Sequence, residues 1–363
     1  MKAKLALFVI ILTSGVVSLV QASPYPPYPS YPMMSSPSSP EPSPEPSYSS
    51  EPTELSEGFT TTFEFYGLAE DVQDAAIQSA TSSVDPDPQG TSQRSTQTLR
   101  NGAISRLGGI HAGVEAPMLA DEGGDSLHFE YNYVDTSLDT AGVGIAGNTN
   151  VYAIGYERYL GAGIYLDLSY EYGDEQLRAG AAGIDNDTHT VAASLSADIV
   201  NNIYGFLIVG GSWSDGATNL AGAQIVGTDG STFFINPGLG TSKAFGDIVV
   251  DGAISYLYQN SSTTSIVAGI PLTGGADVGQ LVVDLGATYN FTDSLYARVG
   301  LQYNNILDDN FGAIAYDKNW LQVNSEIGAR IGANSNVYVG HAYDAGHNIY
   351  DTHTYRAGFS YGF

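Results

Sequence analysis

From residue 127 to the end, twelve stretches of the chain alternate apolar and polar side chains with a period of two, and the segments between them are alternately short and long. A period of two sends successive side chains to opposite faces of an extended strand, so each stretch reads as a β-strand with one greasy and one polar side. The stretches cover approximately 127–135, 150–160, 163–173, 188–199, 203–213, 231–243, 247–259, 278–291, 294–304, 319–331, 336–344 and 351–363. Most are long enough for a tilted strand to cross a bilayer. Short turns fall at 161–162, 200–202, 244–246, 292–293 and 332–335, and longer loops at 136–149, 174–187, 214–230, 260–277, 305–318 and 345–350. A soluble sandwich has no reason to gather every long loop at one end, whereas a membrane barrel has short periplasmic turns and longer outer loops. The expected fold class is all-β: a transmembrane antiparallel up-and-down β-barrel of about 12 strands spanning 127–363. An even count returns both termini to the periplasmic side.

Within single stretches the two faces separate well. Ile164, Leu166, Leu168, Tyr170 and Tyr172 lie opposite Tyr165, Asp167, Ser169 and Glu171, and Leu321, Val323, Ile327 and Ala329 lie opposite Gln322, Asn324, Glu326 and Arg330. Periodicity alone fits a polar face pointing out or in. The tyrosines decide, because Tyr131, Tyr133, Tyr152, Tyr156, Tyr256, Tyr258, Tyr289 and Tyr303 fall on the apolar face, where the aromatic girdles of a membrane barrel sit. The polar face is therefore assigned to the interior, making Glu130, Glu157, Asp167, Glu171, Asp198, Asp251, Asp284, Arg298, Glu326, Arg330 and Arg356 the candidate pore-lining residues. The stretch 203–213 is apolar on both sides, and alternation does not orient it.

Upstream, Lys2 and Lys4 precede an apolar run over 5–20, which reads as a secretory signal peptide, residues 1–22, cut ahead of Ser23. Residues 23–58 are dominated by Pro, Ser, Tyr and Glu and form a disordered arm, since they hold too little apolar surface to build a core. Residues 59–126 form a short segment with weak helical patterns, one of them at 91–107 carrying Arg94, Arg100 and Arg106. The 39 acidic against 12 basic residues give a net charge of −27, which excludes nucleic acid as a partner. With no cysteine, disulfides, thiol chemistry and cysteine-based metal sites are excluded as well.

The stretch Asn150-Val-Tyr-Ala-Ile-Gly-Tyr-Glu-Arg-Tyr-Leu160, the following Tyr165-Leu-Asp-Leu-Ser-Tyr-Glu-Tyr-Gly173 and the closing Ala357-Gly-Phe-Ser-Tyr-Gly-Phe363 resemble the autotransporter β-domain family over about 92–363. The resemblance implies a twelve-stranded barrel with a helix threaded through its pore. Arg94, Arg100 and Arg106 are the plug candidates within 91–107, because a six-residue spacing rotates successive arginines by about 240° and spreads them around the helix axis. It also implies a chain that sits in the bacterial outer membrane, anchors itself there and exports or displays the short N-terminal arm. The ending, with Arg356, Gly358, Tyr361 and Phe363, resembles the signal read by the barrel-assembly machinery. Expected partners are that machinery, periplasmic chaperones, and outer-membrane lipid and lipopolysaccharide.

Two other functional classes stay open at this point: a porin-like, cation-preferring passive channel, and a structural or adhesive surface protein acting through its loops. No Ser, His and Asp group at a recognisable spacing, so no catalytic residue is assigned. His341, Asp344, His347, Asp351 and His353 cluster near the last hairpin but read as ordinary loop residues, as do the acidic runs Asp185-Asn-Asp187 and Asp308-Asp309. No metal or cofactor is expected.

Overall fold

The computed structural model describes residues 125–140, 143–179, 182–200, 202–220, 223–267, 270–309, 318–332, 334–345 and 350–363. The expected signal peptide, arm and plug lie outside the described residues. Alternation becomes twelve strands: β1 (Asp125–Thr140), β2 (Val143–Gly161), β3 (Ile164–Ala179), β4 (Ala182–Val200), β5 (Ile203–Leu220), β6 (Ala223–Phe245), β7 (Ile248–Val267), β8 (Ile270–Asn290), β9 (Leu295–Asp309), β10 (Asn319–Ile331), β11 (Ser335–Ala345) and β12 (Tyr350–Gly362). Each pairs antiparallel with its sequence neighbours, and β1 pairs with β12 to close the barrel. The seam runs from Ser126 opposite Gly362 to Leu138 opposite Tyr350, and at its foot Asp125 and Phe363 exchange backbone hydrogen bonds of 3.1 and 2.8 Å. Closure leaves no strand edge without a partner, a requirement in lipid, where no water satisfies a bare N–H or C=O.

One end of the barrel carries tight turns. Ala162 and Asn202 adopt positive φ there, at 56° and 62°, and Gly246 between β6 and β7 adopts 63°. At that last position the left-handed backbone suits glycine, which meets no Cβ penalty. The opposite end corrects the sequence expectation. The described residues of segments 136–149, 174–187, 214–230 and 260–277 form the outer halves of the strands rather than loops, paired up to Thr140 opposite Val143, Ala179 opposite Ala182, Leu220 opposite Ala223 and Val267 opposite Ile270. These ribbons are rich in Ser, Thr, Gly, Asn and Asp. Alternation fades where both faces meet water, but backbone pairing does not need it.

The radial order is the inverse of a soluble protein's. Leu285 is 60% and Val299 61% exposed on the outside, whereas Glu157, Asp167 and Glu171 are at most 2% exposed on the inside. Each large apolar side chain left in water forfeits roughly 1.5–3 kcal/mol. Dozens of outward Leu, Ile, Val, Phe and Tyr would then forfeit tens of kcal/mol, more than the roughly 5–15 kcal/mol of net stability a domain has. Lipid is the surroundings in which this surface is at rest, so the barrel spans a membrane. A girdle of rings marks its outer boundary: Tyr131, Tyr152, Tyr172, His189 and Trp213 follow one another at centroid spacings of 5.3, 6.4, 5.2 and 5.6 Å. All eight tyrosines assigned to the apolar face project outward.

Candidate functional site in the barrel lumen

The interior wall is built from the alternate residues of every strand, and it divides into two sectors. In the first, over β7 to β12 and on to β4, charged groups face inward. Asp251 on β7 and Arg298 on β9 form a two-pronged ion pair, both N···O distances being 2.6 Å, and Arg298 also donates to Thr288 Oγ1 at 3.2 Å. The pair reaches across β8 over Gly286, where a Cβ would stand 2.3 Å from Arg298 Nη2. Glycine is required there because the two side chains occupy the space above it.

A second group joins β1, β9, β10, β11 and β12. Arg356 lies 3.7 Å from Glu326, which accepts from the Tyr296 hydroxyl at 3.1 Å, and Asn336 donates to that same hydroxyl at 3.2 Å. Glu130 accepts from Asn132 at 2.9 Å and from the Tyr338 hydroxyl. Tyr296 lies over Gly328 and Tyr338 over Gly358, each ring within 2.2 Å of where a Cβ would be. Asp284, Arg298, Asn324, Glu326 and Arg356 line a cavity of about 20 Å³, enough for a water molecule. Closer to the short-turn end, Arg330 donates to the Asp293 carbonyl at 3.1 Å.

On β2 to β4, Glu157, Asp167, Glu171 and Asp198 also face inward. Glu157 stands directly opposite Asp167 in the β2–β3 register. Like charges placed so repel, and the arrangement favours a cation between or beside them. All eleven residues assigned to the pore by alternation thus lie on the interior face, but none of them lies on β5 or β6, around which an apolar cluster forms instead.

That other sector was not legible from alternation. β5 is oriented by its pairing: Asp198, inward on β4, lies opposite Tyr204, which places Tyr204, Phe206 and Ile208 inside and Ile203, Leu207, Val209 and Trp213 in lipid. Tyr204, Phe206, Ile208, Phe234, Leu257 and Val282 are all buried with Ala192, Ala253 and Tyr165 in one apolar cluster. The rings again lie on glycines of the next strand, Tyr204 over Gly240, Phe206 over Gly238 and Phe234 over Gly210, where a Cβ would come within 2.2 to 2.3 Å. The signal in the sequence was present but weak: three inward aromatics on β5 and β6, each facing a glycine across the register.

The remaining sequence candidates scatter. Arg356 and Gly358 face the lumen, whereas Tyr361 and Phe363 stack outside with centroids 6.3 Å apart. Asp344 points inward and accepts from Gln322 at 2.8 Å, while His341 and His353 lie together on the lipid side with Asp351 beside His353, so the histidine and acid cluster is split between the two faces of the wall; His347 lies outside the described residues. No group of three or more metal-ligating side chains assembles among the described residues. Asp185 is held by Arg178 at 2.9 Å and by Asn219 at 3.0 Å, and Asp187 accepts from Tyr172 at 2.7 Å.

No protein-family model matches the chain, and no curated protein matches it. Solved structures do share its fold. The translocator domain of the autotransporter NalP from Neisseria meningitidis superposes with a TM-score of 0.57 at 13% identity, over 75% of this chain and 96% of that one. The beta domain of the Bordetella autotransporter Brka gives a TM-score of 0.50 at 16% identity, over 67% and 100%. The fold is that of autotransporter β-domains, barrels of the bacterial outer-membrane type.

Proposed function

We propose that this barrel is a translocator-type membrane anchor whose lumen holds the segment 91–107 and thereby tethers or displays the short N-terminal arm. The observation that carries the reading is the two-sided lumen, acid-rich on one side and apolar on the other. In helical geometry Leu99, Ala103 and Leu107 share one face, Arg94 lies opposite, and Arg100 and Arg106 flank the stripe. The apolar stripe suits the wall made by Phe206, Ile208, Phe234 and Leu257, and the arginines suit Glu157, Asp167, Glu171 and Asp284. In a narrow, poorly solvated lumen such attraction is stronger than at a surface. β1 begins at the short-turn mouth, and residues 108–124 supply enough chain to carry this segment from that mouth into the pore.

Planar-bilayer conductance tests the reading. The full chain is expected to conduct little, and deletion of 91–107 to open a large current; equal conductance of the two proteins overturns the plug. Protease treatment of intact cells tests display, and an arm that is never cleaved from outside overturns that part. The rival reading, a cation-preferring channel, is favoured by one observation: among the candidate pore residues eight are acidic and three are arginines. It requires cation-selective current from the full chain, whereas the anchor reading places that current in the deletion variant alone.

A further inference from the structure

We propose that His341 and His353 form a two-histidine site for a divalent transition-metal ion on the lipid-side face of the last hairpin. The two residues lie on adjacent strands, diagonal to one another, because His341 stands opposite Tyr355 and Tyr343 opposite His353. Their rings stack with centroids 5.4 Å apart, and His341 Nε2 faces His353 Nδ1 at 3.1 Å. Two nitrogens bound to one tetrahedral metal at about 2.0–2.1 Å each stand about 3.3 Å apart, so the pair is already spaced as a chelate. Two facing lone pairs repel, and either a proton or a metal must lie between them.

The surroundings favour the metal. Asp351 Oδ1 lies 4.0 Å from His353 Nε2, the nitrogen turned away from His341. At that distance the carboxylate makes no direct hydrogen bond to the ring, but its negative charge beside the imidazole favours a cation at the pair. Asp135, exposed on β1, stands opposite His353 across the seam and adds a second negative charge. The patch therefore draws a cation rather than the phosphate of a lipid. Tyr343 stacks on His353 with centroids 4.8 Å apart and Tyr355 packs at a tilt against His341 at 5.0 Å, which restricts both imidazoles. Imidazole ligands select zinc, copper or nickel over magnesium or calcium. No third protein ligand of the usual kinds joins the pair among the described residues, so water completes the coordination.

The site is independent of what the lumen holds. Full-length protein in detergent micelles is titrated with Zn²⁺ by calorimetry and with Cu²⁺ by electron paramagnetic resonance. One equivalent is expected to bind, with two nitrogens in the copper spectrum. His341→Gln and His353→Gln should each abolish that site, and Asp351→Asn, which removes a nearby charge, should weaken it severalfold at low salt. Equal binding by the wild type and the double histidine variant overturns the proposal and leaves the pair as a plain N–H···N hydrogen bond. A second measurement needs no variant: Zn²⁺ should protect His341 and His353 from diethyl pyrocarbonate, read by mass spectrometry, and unprotected modification of both refutes the site.

Discussion

The two sides of the lumen wall solve one packing problem with opposite chemistry. Around Arg298 the space above Gly286 is filled by an ion pair, while around Phe206 the space above Gly238 is filled by a ring. Both use a glycine on the middle or facing strand to let a large group lie flat against the backbone. They differ in what failure costs. An ionic group that loses its partner inside a barrel leaves a buried charge, whereas a ring that loses its seat leaves a cavity or a clash. The charged side should tolerate less, residue for residue, and the apolar side should respond in proportion to the volume changed.

Substitutions ranked by expected effect can break or sharpen that contrast. Asp251→Ala, which strands Arg298, is expected to cost about 3–5 kcal/mol in urea unfolding followed by heat-modifiable gel migration. Replacing both partners, Asp251→Leu with Arg298→Met, should recover most of that loss; if the double variant is no better than the single one, the ion pair is not what makes this side sensitive. On the apolar side Gly238→Ala drives a methyl group into the Phe206 ring and should destabilise by about 1–3 kcal/mol in the same assay. Ile208→Val removes a single methyl group and should cost only about 0.5–1.5 kcal/mol. Last comes Arg178→Ala, which breaks the exposed pair with Asp185 at the outer rim, where the two side chains are 52% and 44% exposed. It should change stability by less than about 1 kcal/mol, and less still at high salt. A loss at the rim as large as that at Asp251 would dissolve the distinction between lumen and surface.

Legibility of the chain followed burial. In β3, β8 and β10 one face meets lipid and the other the polar interior, so Leu166, Leu168 and Tyr170 stand apart from Asp167, Ser169 and Glu171 in the sequence itself. β5 gave no such reading, because Tyr204, Phe206 and Ile208 line an apolar patch on the inside while Leu207 and Val209 face lipid. Its orientation came from the partner strand, through Asp198 opposite Tyr204. The outer ribbons failed for the converse reason: residues such as Ser214, Thr228, Asn260 and Ser262 carry no apolar alternation, so strand and loop look alike there. The histidines near the last hairpin looked like one cluster along the chain, but pleat parity sends Asp344 inward and His341 and His353 outward.

The amino-acid sequence alone determined that this chain forms about a dozen antiparallel strands around an acid-bearing interior, because a period of two is a local property and survives without knowledge of any neighbour. Which inward residues meet was decided only by the closed sheet. Arg298 finds Asp251 across an intervening strand, Phe206 finds Gly238 across the register, and His341 finds His353 on the diagonal, and each of these meetings depends on the stagger of whole strands rather than on the residues flanking it.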